Sequence, residues 1–112
     1  MAKPETRSYS QYSLTALGLF GQMIRRGRIE NNLTAENLSE RAGISRSLLR
    51  RIEKGDPGCA IGVVFEVAAI VGVPLFESDM AGLAGQFRHS SEMLALLRKS
   101  VHAPRKDVND DF

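Results

Sequence analysis

The stretch Leu33 to Gly55, LTAENLSERAGISRSLLRRIEKG, leaves a folding chain few choices, because apolar residues at helical spacing stand on both sides of a single glycine. Leu38 and Ala42 form the buried face of a short segment that Thr34 can cap, its hydroxyl accepting a backbone N–H two or three residues on. Gly43 then supplies a residue able to take positive φ, Ile44 plugs inward, and Ser45 caps a further short helix from Arg46 to Lys54. Leu33, Leu38, Ala42, Ile44, Leu49 and Ile52 are thereby aimed at one core. Arg46, Ser47, Arg50 and Arg51 are left on the outer face. The three-residue turn from Gly43 to Ser45 sets one helix across the other.

The flanking sequence supplies the rest of an all-α bundle. From Leu14, the residues Leu17, Phe20, Gly21 and Ile24 repeat at i, i+3, i+4 and i+7, an inward stripe with the arginines after Ile24 mostly outward. Gly27 weakens the last turn of this helix by about 1 kcal/mol relative to Ala, so fraying is expected there. Gly55, Asp56, Pro57 and Gly58 form a turn with three strong breakers. The run from Ala60 to Val71 is apolar on most sides, and a helix there is expected to be covered on most sides. Pro74 opens a short element whose Leu75 and Phe76 are expected to close the core. Beyond it, Met80, Leu83, Phe87, Leu94, Leu97 and Val101 keep a 3-4 heptad spacing broken at Ser90, which predicts one or two amphipathic helices. The expected organisation is a loose arm over 1–12, a domain over 13–87, an amphipathic helix over 88–102 and a disordered tail over 103–112.

Charge is segregated along the chain. Net charge is only +2, yet residues 25–54 carry Arg25, Arg26, Arg28, Arg41, Arg46, Arg50, Arg51 and Lys54 against Glu30, Glu36, Glu40 and Glu53. Residues 58–87 contain no Lys or Arg, so one part of the domain is cationic, as expected of a surface that faces phosphates. The single Cys59 cannot form an internal bridge, and no stretch reaches the roughly 18 uninterrupted apolar residues of a membrane span. With no apolar core of a secretory signal before Tyr12, a cytoplasmic location near the nucleoid is expected. His89 and His102 are isolated, Cys59 lacks an obvious base, and no phosphate-cradling loop or catalytic triad is present. Neither an enzyme nor a cofactor or metal site is expected.

Residues 20–76, through FGQMIRRGR, LTAENLSERAGISRSLLRRIEKG and VFEVAAIVGVPLF, closely resemble the lambda-repressor/Cro (XRE) type of helix-turn-helix domain. The resemblance implies a compact five-helix bundle with a C-terminal helical extension and tail. It also places Arg46, Ser47, Arg50 and Arg51 at the family's base-facing positions. Arginine pairs bidentately with O6 and N7 of guanine, whereas the Ser47 hydroxyl both donates and accepts and specifies less. Thr34, Ser45, Lys54 and the backbone N–H groups opening the second and fourth helices are the expected phosphate contacts. The sequence departs from the family at Ala35, where a glutamine commonly clamps a phosphate or base. Arg28 and Glu53 match positions that form an internal ion pair, which makes Arg28 a structural residue.

A narrower resemblance concerns EKGDPG, the run VFEVAAIVGVPLFE and the ending DVNDDF, which look like antitoxin-type regulators encoded beside HipA-like kinase toxins. It implies an autoregulating repressor of a toxin-antitoxin operon. The expected form is a homodimer on a pseudo-palindromic operator of double-stranded DNA, its two recognition helices about 34 Å apart. The alternative is a protein-interaction module that neutralises the kinase through Leu94, Leu97 and Phe112, with DNA binding secondary.

Overall fold

The boundaries of the first three helices follow from local hydrogen-bonding devices that begin and end them. The computed structural model describes residues 8–100, with side chains described through residue 97; Phe112 and the acidic tail lie outside the described residues. Five helices and no strand occur among them: α1 (Gln11–Glu30), α2 (Ala35–Ala42), α3 (Arg46–Glu53), α4 (Ile61–Ile70) and α5 (Met80–Ser100). The chain divides into two units, residues 1–75 and 76–112.

In the first unit, α1 begins three residues before Leu14, because the Ser10 hydroxyl accepts from Ser13 N at 3.1 Å and caps a polar first turn that carries no apolar period. Its far end does not fray at Gly27. That glycine is buried against Val71, where a Cβ would stand 3.0 Å from Val71 Cγ2 and 3.1 Å from Val71 O, and Asn31 Nδ2 donates to Gly27 O at 2.7 Å and to Val71 O at 3.1 Å, which ties the helix end down. The Thr34 hydroxyl caps α2 through Asn37 N, and that of Ser45 caps α3 through Leu48 N, each at 3.0 Å. Gly43 takes φ 70°, and Ile44 N donates back to Ser39 O at 3.0 Å, which closes α2 and redirects the chain.

The core consists of Ile24, Leu38, Leu49, Ile52, Val67, Ala68, Val71 and Val73, with Leu33, Ala42, Ile44 and Leu75 packed partly buried against it. Helix α1 packs on α3, and α2 packs on both α3 and α4. Phe20 of α1 meets Phe65 of α4 edge to face, with ring centroids 6.3 Å apart. Two expectations fail here. Helix α4 is covered on one side only, since Ile61, Gly62 and Ala69 are exposed: two short helices and α1 do not supply enough surface to wrap it. Phe76 does not close the core either. It is 67% exposed, Phe76 and Glu77 take φ 54° and 55° in the left-handed region, and no helix forms between Pro74 and Asp79.

In the second unit, the Asp79 carboxylate accepts from Gly82 N at 2.9 Å and starts α5. This helix runs unbroken through positions 87 and 88, past Ser90, with Ser91 Oγ bonded back to Phe87 O at 2.9 Å.

Candidate nucleic-acid interface

Helix α3 presents two rows of side chains at i, i+4 spacing, and the structure gives them different surroundings. Arg46, Arg50 and Lys54 form the row that borders a groove of about 440 Å³, shared with Arg25, Arg28, Ala35, Leu49 and Glu53. Ser47 and Arg51 form the neighbouring row, whose Arg51 reaches the turn after α3. The groove is cationic because its one carboxylate is already engaged. Arg28 donates to Glu53 bidentately, Nε to Oε2 at 2.7 Å and Nη2 to Oε1 at 3.2 Å, and its Nη1 donates to Leu33 O at 3.2 Å. Both side chains are nearly buried, and the Glu53 hydrogen bond, opposed by burial, holds the Arg28 guanidinium above its ordinary value. This pair ties α1 to α3 and to the start of α2.

Arg46, Arg50 and Lys54, by contrast, form no ion pair among the described residues and are exposed. Arg25 adds a fourth cation to the rim, its Nε 4.0 Å from Glu53 Oε1 with the side chain mostly in solvent. Nothing in the apolar period marks Arg25 as part of the site; the only signal is its place one helical turn before Arg28. The Thr34 and Ser45 hydroxyls keep a donor after accepting their cap hydrogen bonds, and their helix starts expose backbone N–H groups suited to anions. Ala35 lines the groove, so the departure from a longer polar side chain leaves open space where the resemblance implies a clamp.

Arg51 does not share the freedom of Arg46 and Arg50. Its Nε donates to Asp56 Oδ2 at 2.8 Å, and Asp56 Oδ1 accepts from Gly58 N at 2.7 Å. The expected base contact thus also helps to close the turn over Gly55 to Gly58, whose three breakers read in the sequence only as a loop and not as a source of a partner carboxylate. The Arg51 guanidinium, followed by the Gly58 N–H, keeps the Asp56 carboxyl below its usual range. A depressed folded value means that the contribution is present above the ordinary carboxylate pKa of about 4 and is lost as pH falls through the folded value. Acidification below about pH 4 should therefore release Arg51. The Arg51 Nε–H signal in NMR spectra should lose its distinct shift in acid, and Asp56→Asn should produce the released shift at neutral pH. A shift unchanged in both conditions would contradict the bond. Cys59 sits beside this turn, where burial chiefly pushes its thiol up, so it is no ready nucleophile.

Two short helices joined by a tight turn, bordered by helix N-termini and by cations without ion pairs among the described residues, are the arrangement of helix-turn-helix DNA-binding proteins. Residues 24–78 match the helix-turn-helix family model of the XRE type, which supports a DNA-binding transcription regulator and is not an enzyme family. No curated protein and no solved structure is significantly similar to the chain. Among the described residues no helix is long and apolar enough to cross a membrane.

Proposed function

We propose that this protein is a sequence-specific transcriptional repressor that acts as a homodimer on a pseudo-palindromic operator. Helix α3 enters the major groove with Arg46, Ser47 and Arg50 toward base edges, while Thr34, Ser45, Lys54 and Arg25 meet phosphates. The observation that carries the reading is the row of Arg46, Arg50 and Lys54, exposed and without ion pairs among the described residues, beside a groove whose only carboxylate is taken by Arg28. Arg51 becomes a positioning residue that shapes the edge of α3 through Asp56.

Arg46→Ala and Arg50→Ala should each weaken operator binding by about 1 to 3 kcal/mol and relax preference at one base pair, read by selection from a randomised site. Lys54→Ala should weaken all sequences alike and lower the slope of log affinity against log salt by about 1. Preferences identical to wild type for both arginine variants would overturn the assignment of α3 as the reading helix.

The more particular form of this proposal is an autoregulating antitoxin, active in the cytoplasm, that also neutralises a HipA-like kinase. Its support is the sequence resemblance described above, together with the exposure of Leu94 and Leu97 on α5. Pull-down of a kinase encoded beside this chain, with and without residues 103–112, tests it.

A further inference from the structure

The end of α3 is built so that one residue of the following turn faces one residue of the helix. Gly55 takes φ 79°, Gly55 N donates to Ile52 O at 3.0 Å, and Asp56 N donates to Arg51 O at 3.0 Å, the pair of hydrogen bonds that ends a helix by reversing the chain. This closure sets Asp56 against Arg51, at positions where two apolar side chains frequently meet. Here the meeting is an ion pair, with Arg51 Nε donating to Asp56 Oδ2 at 2.8 Å. The carboxylate is itself held, because its Oδ1 accepts from Gly58 N at 2.7 Å. Helix α1 fixes the whole corner, since Gly55 lies so near Gly18 that a Cβ on it would stand 2.7 Å from Gly18 Cα.

The anchor takes up a single donor of the guanidinium. Nη1 and Nη2 donate to no acceptor among the described residues, and the Arg51 side chain stays 49% exposed on the helix that carries Arg46 and Arg50. Those two groups form the fork that pairs bidentately with O6 and N7 of guanine. Arg46 and Arg50 have no such anchor among the described residues, so each loses side-chain freedom on meeting DNA that Arg51 has already lost on folding. We propose, on the reading of α3 as the recognition helix, that Asp56 is a specificity-determining residue: it aims the free donors of Arg51, and the two act as one unit that reads a guanine. The bond works in both directions, Arg51 closing the turn and Asp56 positioning Arg51. Charge points the same way. The pair is neutral as a whole and its carboxylate repels a phosphate, so what it offers DNA is direction, with little of the attraction that Lys54 supplies.

The test uses the full chain and selection from a randomised double-stranded site, with salt dependence measured on the preferred sequence. Arg51→Ala should lower discrimination at one G·C pair about tenfold and leave the slope of log affinity against log salt nearly unchanged. Asp56→Asn keeps the size of the side chain and an acceptor for Gly58 N–H, and should lower discrimination at that same pair about fivefold. The double variant should match Arg51→Ala, because Asp56 acts only through Arg51. Arg51→Lys keeps the ion pair but lacks the fork, so it should lose as much as Arg51→Ala, whereas a purely structural pair would tolerate it. Equal weakening of all sequences by Asp56→Asn, preferences untouched by Arg51→Ala, or additive losses in the double variant would each overturn the proposal. Arg46→Ala and Arg50→Ala separate it from the assignment of α3. With their preferences shifted and those of Arg51→Ala intact, only the role of Asp56 falls; with all three unchanged, α3 is not the reading helix.

Discussion

Glu53→Ala lowers the stability of the helix-turn-helix unit by about 3 to 5 kcal/mol, the range for stranding one member of a buried ion pair. The Arg28 side chain is only 14% exposed and that of Glu53 only 10%, so removing the carboxylate leaves a guanidinium with little access to water. Two of its three hydrogen bonds disappear, and the remaining one, to Leu33 O, cannot neutralise its charge. Urea unfolding followed by circular dichroism measures the loss. Arg28→Met combined with Glu53→Leu should recover much of it, because replacing both charges by apolar groups of similar volume is often close to neutral. A loss below about 1 kcal/mol for Glu53→Ala would mean that the pair behaves as an exposed one.

The second large effect comes from Gly21→Ala, expected to cost about 3 kcal/mol, the upper part of the usual range for overpacking. A Cβ at this position would stand 2.6 Å from both Ile52 O and Glu53 O, and backbone at a helix end cannot step aside as a flexible side chain can. Helix α1 would have to withdraw from α3, which also loosens the Arg28–Glu53 pair. Gly18→Ala, one turn earlier on the same helix, meets nothing within 4 Å and should stabilise by about 0.4 to 1 kcal/mol through reduced freedom of the unfolded chain. Opposite signs for one chemical change on one helix isolate the close approach. Equal effects from the two substitutions would remove the contact from the account. Gly55 belongs to the same contact region: it takes φ 79°, and a Cβ there would lie 2.7 Å from Gly18 Cα.

These glycines show where reading the chain reaches its limit. Gly43 is legible because a turn with positive φ is a local event bracketed by two caps, Thr34 and Ser45, each acting within three residues. Gly21 is legible only as a member of a stripe, and Gly27 reads as a defect. Their actual role is to let backbone meet backbone across residues distant in sequence, which no periodicity records. Helix α4 misleads for a related reason, since apolar composition reports what a segment tolerates and not how many neighbours arrive to cover it.

The candidate site divides in the same way. Arg46, Ser47 and Arg50 face outward as a consequence of helical spacing around Leu49, so a 3.6-residue period suffices to find them. Arg25 joins their groove only because α1 packs on α3, and Arg51 differs from Arg46 and Arg50 in that the turn brings Asp56 within 2.8 Å of it. The amino-acid order alone thus determined the two capped helices, the turn between them, the residues aimed at the core and the cationic character of one face, since all of these depend on contacts within a few residues. Tertiary structure alone decided which cations border the groove, which glycines meet backbone from another element and how much of α4 is buried. Those properties depend on the distance between elements, and that distance is set by packing, after the local structure has formed.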